Sequence, residues 1–108
     1  MYKRQVFDNT IDTCGAGIQF YGDAGQAIEN IHTNHNTILN TELVPIEYNS
    51  SGFSNSEVIG NIIQGSGTNG ISGYFNASVV SANTVEDQTN YGIEFIGDGA
   101  IVLSLIHI

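Results

Sequence analysis

An all-β solenoid of stacked parallel strands, about four coils long, is the fold this sequence predicts, and three observations predict it. A motif of Asn, then Thr or Ile, then an aliphatic residue recurs four times, each time followed by a turn residue and Ile: Asn9-Thr10-Ile11 with Gly17-Ile18, Asn36-Thr37-Ile38 with Pro45-Ile46, Asn61-Ile62-Ile63 with Gly70-Ile71, and Asn83-Thr84-Val85 with Gly92-Ile93. A period of this length marks units that bury their apolar faces only against their neighbours. The Asn residues lie 27, 25 and 22 positions apart, while the distance from each Asn to its turn residue holds at 8, 9, 9 and 9. The stretch between the landmarks is therefore the conserved element of the repeat, and the variable length follows it. Composition agrees: 13 Gly and one Pro among abundant Asn, Ser, Thr, Ile and Val favour short strands and tight turns over helices.

Side chains alternate along a strand, so each element can be placed by counting. Ahead of each Asn a first strand turns Val6, Thr33, Val58 and Val80 inward, three positions before the corner. At the corner stand Asn9, Asn36, Asn61 and Asn83, expected to tolerate left-handed backbone and to pass amide hydrogen bonds from coil to coil as a structural ladder. A second strand points Ile11, Ile38, Ile63 and Val85 inward. After the next bend a third strand buries Ile18, Ile46, Ile71 and Ile93 and, two residues on, Phe20, Tyr48, Gly73 and Phe95. Glycine at that bend is expected to supply positive φ, so the turn at Pro45 must differ.

The run Val80-Ser81-Ala82-Asn83-Thr84-Val85-Glu86-Asp87, leading to Tyr91-Gly92-Ile93-Glu94-Phe95, resembles the parallel β-helix repeat of the pectin-lyase-like superfamily, and the likeness extends over nearly all of residues 6–102. The resemblance implies a right-handed β-helix of about 22 to 25 residues per turn, in keeping with the right-handed preference of parallel crossovers. It implies an extracellular, cell-surface or periplasmic location. The superfamily holds polysaccharide lyases and hydrolases, uronan epimerases, periplasmic copper-delivery accessory proteins, phage tailspikes and adhesins, so the likeness speaks to fold more than to activity.

The two ends read differently from the middle. Leu103-Ser104-Leu105-Ile106-His107 can be encoded by CTG TCT CTT ATA CAC, whose reverse complement, GTG TAT AAG AGA CAG, reads as a start codon followed by Tyr2-Lys3-Arg4-Gln5. Residues 1–5 and 103–108 are accordingly expected to derive from one sequencing adapter, leaving 6–102 as the repeat domain and part of a longer solenoid. All 11 acidic residues fall in 6–102 and both basic ones, Lys3 and Arg4, outside it. Such a surface cannot neutralise phosphates, so nucleic acid and anionic membranes are poor partners. No apolar run reaches the roughly 18 residues that span a bilayer. Cys14 has no partner for an intrachain disulfide and reads as a small turn residue.

The segment between the third strand and the next Asn shortens along the chain, and solenoid insertions tend to rim one surface. The rim is expected at Tyr21–Glu29 and Asn49–Ser56, with Tyr21, Asn49, Phe53 and Tyr74 as candidate carbohydrate-binding residues. Outward on the third strand stand Gln19, Glu47, Ser72 and Glu94. Glu47 and Glu94, two coils apart, are the candidate catalytic carboxylates at about 9 to 10 Å by strand spacing, near the upper limit inverting glycosidases use; Asp12 and Glu86 form a second outward pair. His32 and His35 are expected on opposite faces and no metal site is assigned to them. Gly22-Asp23-Ala24-Gly25 and Gly97-Asp98-Gly99 could lend oxygen ligands to calcium, although the calcium-binding nonapeptide is absent. Asn49-Ser50-Ser51 and Asn76-Ala77-Ser78 match the glycosylation pattern, as chance allows in so Asn- and Ser-rich a chain.

The resemblance fails where enzymes of the superfamily keep their chemistry. Its lyases would imply a basic proton abstractor and basic residues holding uronate carboxylates, and 6–102 has neither Lys nor Arg. Its hydrolases carry Asn-Thr-Asp, paired Asp and Gly-His-Gly, and in the repeats here Asn-Thr is followed by Ile or Val. The expected function is an extracellular β-helix protein that binds or processes polysaccharide, with catalytic residues beyond this stretch. A structural or adhesive solenoid without catalysis is the alternative, and a periplasmic copper-accessory type a further one. Oligomeric state is not legible.

Overall fold

The computed structural model describes residues 4–13, 15–22, 27–65, 69–87, 92–96, 101–103 and 106–107. Among them the chain forms short strands and no helix. In order these are β1 (Arg4–Phe7), β2 (Thr10–Asp12), β3 (Ile18–Tyr21), β4 (Ile28–Glu29), β5 (Ile31–Asn34), β6 (Thr37–Leu39), β7 (Ile46–Asn49), β8 (Phe53–Ser54), β9 (Glu57–Ile59), β10 (Ile62–Gln64), β11 (Ile71–Tyr74), β12 (Val79–Ser81), β13 (Thr84–Glu86), β14 (Ile93–Ile96), β15 (Ile101–Leu103) and β16 (Ile106–His107). They stack as three faces, β1-β5-β9-β12-β15, β2-β6-β10-β13-β16 and β3-β7-β11-β14, and every pairing is parallel. The chain is a parallel β-solenoid of about three turns, because four repeat landmarks enclose only three intervals.

The register carries the apolar columns. Val6, Thr33, Val58 and Val80 align on the first face, Ile11, Ile38, Ile63 and Val85 on the second, and Ile18, Ile46, Ile71 and Ile93 on the third. Successive strands lie about 4.8 Å apart, so each column is a continuous van der Waals stack. Ile38, Ile46, Val58, Ile63, Ile71 and Val85 are wholly inaccessible to solvent.

Three residues per coil turn the chain, and they are not the ones the repeat suggested. Left-handed φ falls on the residue before each ladder Asn, at Asp8, His35, Gly60 and Ala82, and two residues past each second-strand aliphatic, at Thr13, Asn40, Gly65 and Asp87. A third set, Asn30, Asn55 and Ala77, precedes β5, β9 and β12. The ladder Asn stays out of the left-handed region because its N–H and amide must both point along the stack, so its neighbour makes the bend. Gly17 is small for a different reason: a Cβ there would stand 2.4 Å from the carbonyl oxygen of Pro45. Pro45 itself breaks nothing. Its carbonyl accepts from Ile18 N at 2.7 Å just as Gly70 accepts from Ile46 N at 3.3 Å and Gly92 from Ile71 N at 2.9 Å. That column uses the carbonyl, which proline keeps.

Of the longer segments expected as a rim, Ile28–Glu29 and Phe53–Ser54 are part of the wall. β4 pairs with β8, Ile28 opposite Phe53, and Ser54 bridges to Asn76, making a short fourth stack. Beside it runs a serine ladder, in which Ile31 N donates to Ser56 Oγ at 3.3 Å and Ser56 N to Ser78 Oγ at 3.1 Å.

Aromatic rings fill the interior at that side. Phe20 and Phe53 pack on Tyr48 with centroids 4.9 and 5.1 Å away, and Phe75 lies 4.9 Å from Tyr48 on the other side. Tyr48 shares a 2.6 Å hydrogen bond with Thr33, which explains a hydroxyl in an otherwise aliphatic column. Burial raises the Tyr48 pKa above the ordinary phenol value of 10.0, although the bond to Thr33 works the other way. The unfolded chain therefore releases this proton first, so stability should fall as pH rises past about 10, by up to about 1.4 kcal/mol per pH unit. Urea unfolding of the wild type and Tyr48→Phe between pH 8 and 12 checks this, since the variant should lack that component of the slope. Equal slopes would contradict it.

Candidate functional site

The outward side of β3, β7, β11 and β14 is a flat display, because parallel register puts equivalent residues in rows. Gln19, Glu47, Ser72 and Glu94 make one row. Tyr21 opposite Asn49 begins a second, and Tyr74 occupies the corresponding outward position on β11. The loop before β7 contributes Leu43 and Val44, and Asn69 comes from the loop before β11; together they enclose an open groove of about 480 Å³ over this face. Its size lies within the roughly 300 to 1,000 Å³ usual for ligand sites. A smaller hollow of about 150 Å³ adjoins it, between Glu47, Asn49, Tyr74 and Glu94 with Gly73 in its wall.

Hydrogen bonds hold the groove's polar groups in place. Gln19 Nε2 donates to Glu47 Oε1 at 3.1 Å, and the Tyr21 hydroxyl donates to Gln19 Oε1 at 3.0 Å and lies 3.5 Å from Glu47 Oε1. Asn69 Nδ2 donates to Glu94 Oε1 at 3.0 Å. Tyr21 is 63% exposed, which leaves its ring open to stacking while its hydroxyl is anchored. Ser72 separates the two carboxylates in the row, which puts their backbones about 9 to 10 Å apart by strand spacing.

The structure thus brings Tyr21, Asn49, Glu47 and Glu94 together around the groove, while Tyr74, partly packed on the core, lines the hollow beside it. Phe53 does not join them. It is 1% exposed and sits against Tyr48 and Phe20 in the interior, so it cannot stack on a sugar. Alternation decides this: β8 pairs beneath β4, and Phe53 takes the inward place opposite Ile28. Sequence reasoning missed Gln19 and Asn69 as the groups that hold the carboxylates, Leu43 and Val44 as the groove's apolar edge, and Phe75 as a core residue. Only Gln19 carried a signal, its place in the Glu47 row.

Asn9, Asn36, Asn61 and Asn83 are linked without a gap at the first corner. Each upper Asn donates its backbone N–H and its Nδ2 to Oδ1 of the next, at 3.0 and 3.0, 2.9 and 3.1, and 2.9 and 2.9 Å down the stack. Asp12 and Glu86 end a row three strands apart, with Leu39 and Gln64 between them. Hydrogen bonds from Thr13 and then Asn40 hold the Asp12 pKa below its ordinary 3.8.

His32 and His35 line one shallow groove rather than opposite faces, because the left-handed φ of His35 swings it back beside β5. His32 Nδ1 lies 2.8 Å from Glu57 Oε1. No group of three or more His, Cys, Asp or Glu among the described residues is placed to hold a metal ion. Cys14, Asp23, Ala24, Gly25 and the Gly97-Asp98-Gly99 turn lie outside the described residues. Of the two glycosylation patterns, Asn76 donates to the Phe53 carbonyl at 3.0 Å with Ser78 buried in the serine ladder, whereas Asn49 is exposed at the groove. No helix of the described chain is long and apolar enough to cross a membrane.

Comparison with family models, with curated proteins and with solved structures returned no match.

Proposed function

We propose that this chain belongs to an extracellular, right-handed parallel β-helix protein that binds or processes polysaccharide, and that the outward face of β3, β7, β11 and β14 is its sugar-binding surface. One observation carries the reading: an exposed tyrosine ring, fixed amide groups and two carboxylates converge on a groove of about 480 Å³ laid along a rigid sheet. Sugars are held by this combination, an aromatic plane under the apolar face of a pyranose and polar side chains fixed in advance for its hydroxyls. The carboxylate spacing is compatible with acid and base roles on opposite sides of a glycosidic bond, and no Lys or Arg of the described residues lines the groove as a lyase's proton abstractor would.

Titration calorimetry with neutral and uronic oligosaccharides tests it. Saturable binding should weaken at least tenfold in Tyr21→Ala, a loss of about 1.4 kcal/mol, with unchanged melting because Tyr21 is exposed. Binding that survives Tyr21→Ala unchanged would move the site elsewhere.

The second reading, a structural or adhesive solenoid without catalysis, is favoured by the unbroken asparagine ladder and the short serine ladder, which make the stack regular. Absence of saturable binding to every glycan tested would favour it.

A further inference from the structure

We infer that the groove selects sugars bearing free, protonated amino groups and rejects uronates, an inference that rests on the polysaccharide reading above. Glu47 and Glu94 both face the groove, and neither forms an ion pair within the described chain; the ion pair found there is His32 with Glu57, away from this face. Their fixed hydrogen bonds come from neutral donors and go to Oε1 in both residues: from Gln19 and Tyr21 to Glu47, and from Asn69 to Glu94. These donors orient each carboxylate without neutralising it, leaving Oε2 of each for a ligand.

Among the described residues, no Lys, Arg or His lines the groove. A uronate entering it would bring a third carboxylate against two others with no cation to offset them, an arrangement that costs affinity at short range. An ammonium group reverses the sign, and its three donors suit an acceptor-only carboxylate. Tyr21 adds to the same preference, since the face of an aromatic ring attracts a cation. The two carboxylates stand in one row along the stack, so an extended oligomer carrying an amine on successive rings can meet both.

Titration calorimetry with oligomers of glucosamine, of N-acetylglucosamine and of galacturonate separates the possibilities, using the full chain. The free-amine oligomer should bind at least tenfold tighter than its N-acetylated form, and galacturonate should not bind. Glu47→Gln and Glu94→Gln should each remove most of that preference. Glu29→Gln, which makes the same change in net charge on β4 away from the groove, should leave it intact. Equal binding of the amine and N-acetyl oligomers would overturn the amine selectivity while leaving the polysaccharide reading standing. A loss shared equally by Glu29→Gln would assign the preference to overall charge and overturn it as well. Failure of all three oligomers to bind would end both readings.

Discussion

Asn61→Ala should cost the protein about 3 to 5 kcal/mol, a large part of the roughly 5 to 15 kcal/mol that holds a domain together. Asn61 is fully buried in the middle of the ladder. Its Oδ1 accepts from the Asn36 backbone N–H at 2.9 Å, and its Nδ2 donates to the Thr33 carbonyl at 2.9 Å and to Asn83 Oδ1 at 2.9 Å. Alanine leaves the Asn36 N–H unpaired in a dry interior, at about 1 to 3 kcal/mol, removes the side-chain donor from the Thr33 carbonyl and from Asn83 Oδ1, and adds a small cavity. Asn61→Asp should do no better, because it puts a charge in the core and cannot donate. Asn9→Ala is the control. Asn9 is exposed at the end of the same ladder, where water replaces what is lost, and a cost near 1 kcal/mol is expected. Urea unfolding of the three variants reads the difference in midpoint, and similar values for Asn61→Ala and Asn9→Ala would show that the ladder contributes little.

The contrast between those two asparagines shows how much of this molecule could be read from sequence. Coil length, strand positions and the inward columns followed from counting, because parallel stacking forces equivalent residues into line and Ile18, Ile46, Ile71 and Ile93 each repeat one choice. The corners were less legible. The left-handed positions are filled by Asp8, His35, Gly60 and Ala82, or by Thr13, Asn40, Gly65 and Asp87, and no residue type unites them. The backbone bends because the flanking strands and ladders hold it there, at an energetic cost of roughly 1 to 2 kcal/mol for an ordinary side chain. The serine ladder was visible in principle, since Ser56 and Ser78 each stand five residues before a ladder Asn. Five residues before Asn36 stands Ile31, which donates to the ladder through its backbone alone.

The candidate site was legible where it lies on a strand and illegible where it depends on loops. Glu47, Glu94, Tyr21 and Asn49 could be set on the outward side by alternation. Phe53 could not, because its inward position depends on β4 and β8 pairing across a segment of varying length. Asn69, Leu43 and Val44 reach the groove from loops whose path no periodicity fixes. The sheet that bears the groove follows from the repeat, and the walls that give it volume follow from packing.

Gly73→Ala should be at least as damaging as the loss of Asn61, at about 3 to 6 kcal/mol, although it adds a single methyl group. Gly73 has φ 143°, a conformation that side chains rarely adopt, and a Cβ there would lie 2.3 Å from the Tyr48 carbonyl oxygen and 2.7 Å from the Tyr48 backbone nitrogen. Backbone strain of this kind costs about 1 to 3 kcal/mol, and relief of the overlap requires β11 to part from β7, whose hydrogen bonds also hold Tyr48 in the aromatic core. In sequence Gly73 looked like a gap in the column of Phe20, Tyr48 and Phe95. The gap is needed: without a side chain at 73 the strands close tightly, and Phe75, two residues on, supplies the ring that packs 4.9 Å from Tyr48. Gly15→Ala provides the comparison, since nothing lies within 4 Å of the added carbon and its effect should stay within about 1 kcal/mol in either direction. Gly73 also borders the hollow between Glu47 and Glu94, so any Gly73→Ala protein that remains folded should bind glucosamine oligomers less well than Gly15→Ala does. Thermal melting decides the first claim and calorimetry the second, and a Gly73→Ala protein that melts with Gly15→Ala would mean that β7 and β11 do not approach as closely as this solenoid requires.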